Sequence, residues 1–283
     1  MWLIEHWGAP PVALGAGALA VLLYERGRRR LPQLPPAGQG WLVRSGIAVA
    51  VLSVTSPLGY WSGLDTSARA TEDVLLAYLA APLVVLGAPW LALAAGTTSG
   101  GADRFEKWLA RRRGTKAWSV ASSPALALVM FLLLFPVWWV PSVLDAGARS
   151  SALHGVELSA SFLATVPLWG QVVGSRPFTP RLDFASRAWV VLAWLAVTFV
   201  VGVAMVFSNT AWYPAYKQVR GAYLSAVADQ SIAGGVIWVL PSISLSVVLF
   251  WVLVAWLNRD SDDDWHLARL IEDTRSRMMG AGQ

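Results

Sequence analysis

Ala226-Val227-Ala228-Asp229-Gln230-Ser231-Ile232-Ala233-Gly234-Gly235-Val236-Ile237-Trp238-Val239-Leu240-Pro241 opens the last long apolar run of the chain, which continues to Leu257. An aspartate, an amide and two adjacent glycines are unusual at the mouth of such a run. Ionisable groups near hydrocarbon are costly, so Asp229 reads as functional unless it and Gln230 only cap and solvate a helix end. At ~1.5 Å per residue, residues 224–257 reach on the order of 50 Å, well beyond ~30 Å of hydrocarbon. A helix of that length tilts, projects from the bilayer or bends at Pro241. Gly234 and Gly235 are placed to let another helix come close.

The rest of the chain has the same character. Its 283 residues are 56% hydrophobic and 14% charged, with a mean hydropathy of +0.52. That is too apolar for an ordinary soluble domain. The apolar residues come in continuous blocks, without the alternation of a membrane barrel. Seven blocks qualify as spans, at residues 8–24, 41–58, 74–95, 124–140, 152–173, 189–207 and 224–257. The expected fold is therefore all-α, a polytopic seven-transmembrane-helix bundle. Residues 1–257 form the membrane domain and 258–283 a cytoplasmic tail. Pro82, Pro89, Pro167 and Pro241 are expected to kink, loosen or end four of the spans.

Most of the 22 lysines and arginines fall on alternate sides of these blocks. Arg26, Arg28, Arg29, Arg30 and Arg44 flank the first loop, which is otherwise a short Pro- and Gly-rich linker. Arg104, Lys107, Arg111, Arg112, Arg113 and Lys116 follow the third block; Arg176, Arg181 and Arg187 follow the fifth. Arg259, Arg269, Arg275 and Arg277 lie in the tail. The opposite side has Arg69, Arg149, Lys217 and Arg220. Cytoplasmic loops collect cations, so the amino terminus is expected outside and the carboxy terminus in the cytoplasm. These cations read as topology signals, not as a nucleic-acid surface. No basic stretch precedes the first block, which reads as a retained span and not a cleaved leader. Trp41, Trp61, Trp108, Trp138, Trp139, Trp212 and Trp256 sit at span ends, as an interfacial belt does. Ser261 and Asp264 have capping-box spacing before Trp265, Leu267, Leu270 and Ile271. The tail thus reads as an amphipathic helix lying on the membrane or a partner, or as a plain solvated tail.

With this topology the third, fifth and seventh spans begin on one side, each with ionisable or amide groups. These are Glu72 and Asp73, His154 and Glu157, and Asp229 and Gln230. His154 and Glu157, at i and i+3, share a helix face. Such a pair can bind a metal, hold a proton or only hydrogen-bond within a bundle. His154, Glu157 and Asp229 form the candidate metal set; Glu72, Asp73 and Gln230 complete a partner-binding or purely structural polar cluster.

The chain has no cysteine, which excludes disulfides, thiolate metal ligands and cysteine nucleophiles. Its three histidines are His6, His154 and His266. No HExxH is present, and no serine motif is paired with an intramembrane base other than His154. A retinal-type protein needs a lysine in a late span, and Lys217 falls in a loop. No pair of interrupted helices mirrors another, as an inverted-repeat transporter would require.

Several short motifs, in order, resemble the cytochrome c oxidase assembly factor CtaG family of heptahelical bacterial membrane proteins. They are Leu23-Tyr24 with Gly27-Arg28-Arg29, Ser56-Pro57-Leu58, and Ala81-Pro82-Leu83 with Leu86-Gly87-Ala88-Pro89. Pro141 with Leu144-Asp145, Phe207-Ser208 with Trp212-Tyr213 and Tyr216, and Asp229-Gln230 with Ala233-Gly234 and Trp238 follow. The resemblance runs from about residue 15 to 257. It implies a bacterial cytoplasmic membrane protein, not an enzyme, that assists copper insertion into cytochrome c oxidase.

The family's outward histidines are mostly missing. By spacing they would stand at Ala70, Val74, Trp139 and Leu158, and His154 is the one retained. Imidazole is a good copper ligand, so their loss weakens copper handling more than it weakens fold or partner. Three readings follow. The chain is an assembly factor that handles copper; or an accessory or scaffold subunit of the oxidase or a respiratory supercomplex that has lost the metal site; or a small transporter using the outer polar cluster. Membrane lipid is a partner in all three.

Overall fold

The structure, a computed structural model, describes residues 7, 8, 10–218 and 224–280, with side chains through 216 and from 224 to 258. His6 and Arg220 lie outside the described residues, as do the side chains of Lys217 and of the tail from Arg259 onward. The described chain is all-helical, with no strand and one isolated bridge between Ser175 and Phe178.

The elements run α1 (Pro11–Arg28), α2 (Ala37–Thr55), α3 (Pro57–Trp61), α4 (Thr66–Leu75), a π turn (Leu76–Ala80), α5 (Ala81–Gly87) and α6 (Trp90–Thr97). Then come α7 (Gly101–Arg113), α8 (Lys116–Ala121), α9 (Pro124–Trp138), α10 (Pro141–Arg149), α11 (Ser151–Val173) and α12 (Phe184–Val206). A 3-10 turn (Pro214–Gln218) and α13 (Ala226–Gly280) complete the chain.

Five of these segments are long and apolar enough to cross a membrane: 37–55, 66–87, 151–173, 184–206 and 226–258. A sixth is the pair α9 and α10, if its 71° bend is counted as one broken span. The bend falls where Pro141 starts α10, since proline suits a first helical turn and excludes the preceding residue from one. α1, with 18 residues, carries Glu25, Arg26 and Arg28 in its last turn and is not among the five.

The segment 66–87 is the axis of the bundle. Of its apolar stretch 61% is buried within the protein, against 22–33% for the other four. It starts at Thr66, about two polar helical turns before the expected 74, because residues 66–73 pack against protein and need not be apolar.

Pro82 shapes its middle. Proline has no N–H to donate into the helical ladder. Just before it the Ala81 N–H bonds to Leu76 O, five residues back, which makes the π turn. Ala77 O thereby loses its α-helical donor, and Trp169 Nε1 of α11 supplies one at 2.8 Å. Trp169 in turn packs tilted against Trp194 of α12, with ring centroids 4.8 Å apart, and Trp194 donates to Tyr78 Oη at 2.7 Å. Phe131 of α9 closes this aromatic core, 4.9 Å from Trp194. Trp139, expected in an interfacial belt, is also buried in the core. Trp41 and Trp108 are exposed, as a belt requires.

Pro89 ends the axial span. Ala88 takes a left-handed conformation with φ of 47°, and α6 starts afresh at Trp90. Pro167 and Pro241 instead lie inside continuous helices. The α13 backbone is helical through Pro241 and on to Gly280, roughly 80 Å. Ser261 is therefore not the first residue of a separate tail helix.

α13 packs along α12 and against α4. A Cβ at Gly234 would meet Gly202 O at 2.5 Å, and one at Gly202 would meet Gly234 O at 2.6 Å, so each glycine admits the other backbone. Gly235, expected to share this role, faces open space.

Candidate functional site

The ionisable groups converge at the end of the bundle where α4, α11 and α13 begin. α4 places Arg69, Glu72 and Asp73 on one face by i, i+3 and i+4 spacing, and all three are buried. α11 places His154 and Glu157 opposite them. Arg69 Nε donates to Glu157 Oε1 at 3.3 Å, and Arg69 Nη2 donates to Glu157 Oε2. The side chains of this fork are 0% and 1% exposed. Two charges so deep hold each other there, since neither could be left alone without a large desolvation cost.

Glu72 Oε2 lies 2.9 Å from His154 Nε2. His154 is the more open of the two, 16% exposed against 1%. Gly147 of α10 lies over the Arg69–Glu157 fork. A Cβ there would fall 2.9 Å from Arg69 Nη2 and 3.3 Å from Glu157 Oε2. Among the described residues, Arg69 Nη1, Glu72 Oε1 and Asp73 Oδ1 are buried without a hydrogen-bond partner.

Asp229 does not join the fork. Its carboxylate accepts from Thr66 N at 2.7 Å, from Ser67 N at 3.1 Å and from Ser67 Oγ. It thus caps α4 from another helix, supplying negative charge where the α4 dipole is positive. The local cap would be Asp65, whose side chain makes no such bond. Burial first, and then the neighbouring Asp229 charge, push the Asp65 carboxyl above its ordinary range.

Gln230, the next residue, holds a loop. Its Oε1 accepts from Trp212 N at 2.7 Å and its Nε2 donates to Thr210 O at 3.2 Å. Asp145 Oδ1 accepts from Ala215 N at 3.1 Å in the same loop. Tyr216 from that loop donates to Ser62 O at 3.4 Å. Burial pushes its hydroxyl up to about 12, against the opposing pull of Arg69.

Of the expected site residues, Glu72, Asp73, His154 and Glu157 are brought together, whereas Asp229 and Gln230 tie backbone segments nearby. Arg69, first read as a topology cation, is the centre of the cluster; its spacing to Glu72 and Asp73 was the available signal. Asp145 was also not expected to act here. Among the described residues no group of three or more His, Asp or Glu side chains is placed to hold a metal ion. Cu(I) prefers thiolate or thioether, and here Glu157 is committed to Arg69, Asp229 to α4 and His154 to Glu72, so these residues do not fit it. Ala70, Val74, Trp139 and Leu158, where the resemblance led histidines to be expected, are all buried apolar side chains.

A family model for the cytochrome c oxidase caa3 assembly factor matches residues 19–259. The chain belongs to the cytochrome c oxidase caa3 assembly factor family. Two uncharacterized proteins, from Mycobacterium bovis and Mycobacterium tuberculosis, are each 25% identical to it over 271 residues. The alignment covers 91% of this chain and 40% of each relative, so the chain spans about 40% of the length of these curated relatives. No solved structure matches it. The family match covers every element of the axial span and of the charged cluster. Within the matched residues, Ala70, Val74, Trp139 and Leu158 serve as core residues.

Proposed function

We propose that this chain is a non-enzymatic membrane factor that assists cytochrome c oxidase assembly by holding an oxidase subunit or assembly intermediate. In this reading it sits in the bacterial cytoplasmic membrane with seven spans: the five long helices, the broken α9–α10 pair and α1. The amino terminus is outside, and the tail from residue 258 is cytoplasmic. The distribution of lysine and arginine supports that orientation.

One observation carries the choice of a holding role over copper insertion. Each carboxylate of the candidate metal set is already bonded to a cation or a helix terminus within the chain. An ion-pair cluster of this kind fixes helices and leaves few lone pairs for a metal. The copper reading is second, and rests on His154, whose ring is partly exposed beside the unpartnered Glu72 Oε1.

A mild-detergent pull-down of the full chain, with copper and haem measured in the same eluate, tests this. Holding predicts co-eluting oxidase haem and no copper on the chain itself, in wild type and His154→Ala alike. Copper on the isolated chain that is lost in His154→Ala would overturn it in favour of copper insertion.

A further inference from the structure

α9 and α11 leave space between them at the arginine-rich end of the bundle. Leu126, Met130 and Leu134 follow one another at i, i+4 and i+8 on α9, and so share a face. Opposite them α11 offers the short residues Ala160 and Ala164, then Pro167. Side chains this small cannot fill the gap, and an apolar crevice of about 400 Å³ results. Leu126, Met130 and Leu163 are exposed along it. From Leu126 to Leu134 the crevice is ~12 Å deep, most of one leaflet's ~15 Å of hydrocarbon.

Towards the arginine end the crevice runs into a second cavity of about 400 Å³, sharing Ala121, Ser122, Pro167 and Gln171 with it. Here the lining changes to Trp118, Arg113 and Arg181. Each guanidinium is fixed by one nitrogen: Arg113 Nη2 donates to Pro177 O at 2.7 Å and Arg181 Nη1 to Ser119 O at 3.1 Å. Gln171 joins the walls at the neck, with Nε2 donating to Ser122 O at 3.2 Å and Oε1 accepting from Arg181 N at 3.0 Å. Among the described residues no carboxylate lines either cavity.

We propose that this crevice binds one anionic phospholipid of the surrounding bilayer. Its phosphate lies between Arg113 and Arg181, and one acyl chain runs along Leu126, Met130 and Leu134. The order of chemistry from mouth to floor, two cations, an indole, an amide and then aliphatics, is the order of a phospholipid from headgroup to chain. Two fixed cations without a carboxylate suit a net negative headgroup. They offer nothing to the ammonium of a zwitterionic one, and an uncharged isoprenoid would leave both arginines without an anion.

The test uses the full chain, purified and delipidated in mild detergent, and native mass spectrometry with defined lipids. Dioleoyl phosphatidylglycerol should be retained at one per chain, with dioleoyl phosphatidylcholine retained far less. The double variant Arg113→Gln/Arg181→Gln should weaken phosphatidylglycerol retention on the order of tenfold, two surface cations being lost. Ala164→Phe, which fills the apolar end and leaves both arginines, should weaken it as well. Glycerol phosphate, the headgroup without chains, should not displace the lipid. Equal retention of both lipids overturns the proposal, as does wild-type retention by the arginine variant. Displacement by glycerol phosphate overturns it too, by making this a site for free anions. Should Ala164→Phe not fold, the two lipids and the arginine variant still decide.

Discussion

The two ends of this bundle hold charge in opposite ways. Where α4, α11 and α13 begin, charged side chains turn inward and bind one another: Arg69 to Glu157, Glu72 to His154, and Asp229 to the start of α4. At the other end Glu25 pairs with Arg44, but Arg111, Arg112, Arg113 and Arg181 are exposed, and among the described residues none of these four forms an ion pair. The first arrangement fixes helices relative to each other. The second leaves cations available to whatever the membrane surface supplies. Charges inside a membrane protein are thus of two kinds, and burial with a partner separates them better than residue type does.

The largest effect should come from breaking the fork. Arg69→Ala leaves Glu157 buried and uncompensated, a loss of about 3 to 5 kcal/mol. Thermal unfolding in mild detergent should show it as a large drop in Tm. A double replacement by apolar residues, Arg69→Met with Glu157→Leu, should recover much of that loss, because it buries no charge. If Arg69→Ala unfolds like wild type, the inward end is no more structural than the outward one. Exposed Arg111→Gln is the control and should lie within about 0.5 kcal/mol of wild type.

Next is Gly147→Ala. The added methyl would press on both members of the fork, so α10 or the pair must move. Overpacking of this kind costs about 1 to 3 kcal/mol. The same change at Gly235, which faces open space, should cost little, and the contrast in Tm between the two variants measures the crowding.

Asp229→Ala comes third. It removes the acceptor from Thr66 N and Ser67 N and should cost about 0.5 to 2 kcal/mol, the range for a lost helix cap. Asp229→Asn keeps an acceptor and should cost less. Amide hydrogen exchange at Thr66 and Ser67 should speed up in Asp229→Ala while α12 exchange is unchanged; a uniform increase would mean that Asp229 supports the whole bundle and not one helix end.

How much of this was legible beforehand follows from which interactions are local. The six polar residues stood out because each sits at or near the start of an apolar run, and helical spacing alone put His154 beside Glu157. Arg69 was misread because a loop cation and a buried one look alike until the start of its helix is known. That start was placed late, since a hydropathy reading assumes lipid on all sides and residues 66–73 face protein. The partner of Asp229 could not be read at all. It depends on where α13 meets α4, more than 160 residues apart in sequence. Pro82 was expected to kink or loosen its span, and it makes a π turn whose freed carbonyl is satisfied only by Trp169, far along the chain.

The smallest expected effect separates the two carboxylates at the α4 mouth. Asp229 is the one that bonds, while Asp65 is partly buried beside it and its carboxyl titrates above the ordinary range. A raised carboxyl binds its proton more tightly in the folded chain than in the unfolded one. Its charged form is therefore a cost to folding above the unfolded value near 3.8, and that cost fades as pH falls and both states are protonated. Asp65→Asn should accordingly raise stability at neutral pH, by no more than about 0.5 kcal/mol after screening at this half-exposed position. The gain should shrink towards zero as pH falls below the unfolded value near 3.8. Repeating Tm measurements of Asp65→Asn and wild type from neutral pH to below 3.8 tests this. In the Asp229→Ala background the gain at neutral pH should be smaller, because the neighbouring charge is gone, although the burial that is the larger cause stays. A gain independent of pH would assign the effect to side-chain packing and remove Asp65 from the electrostatics of this end.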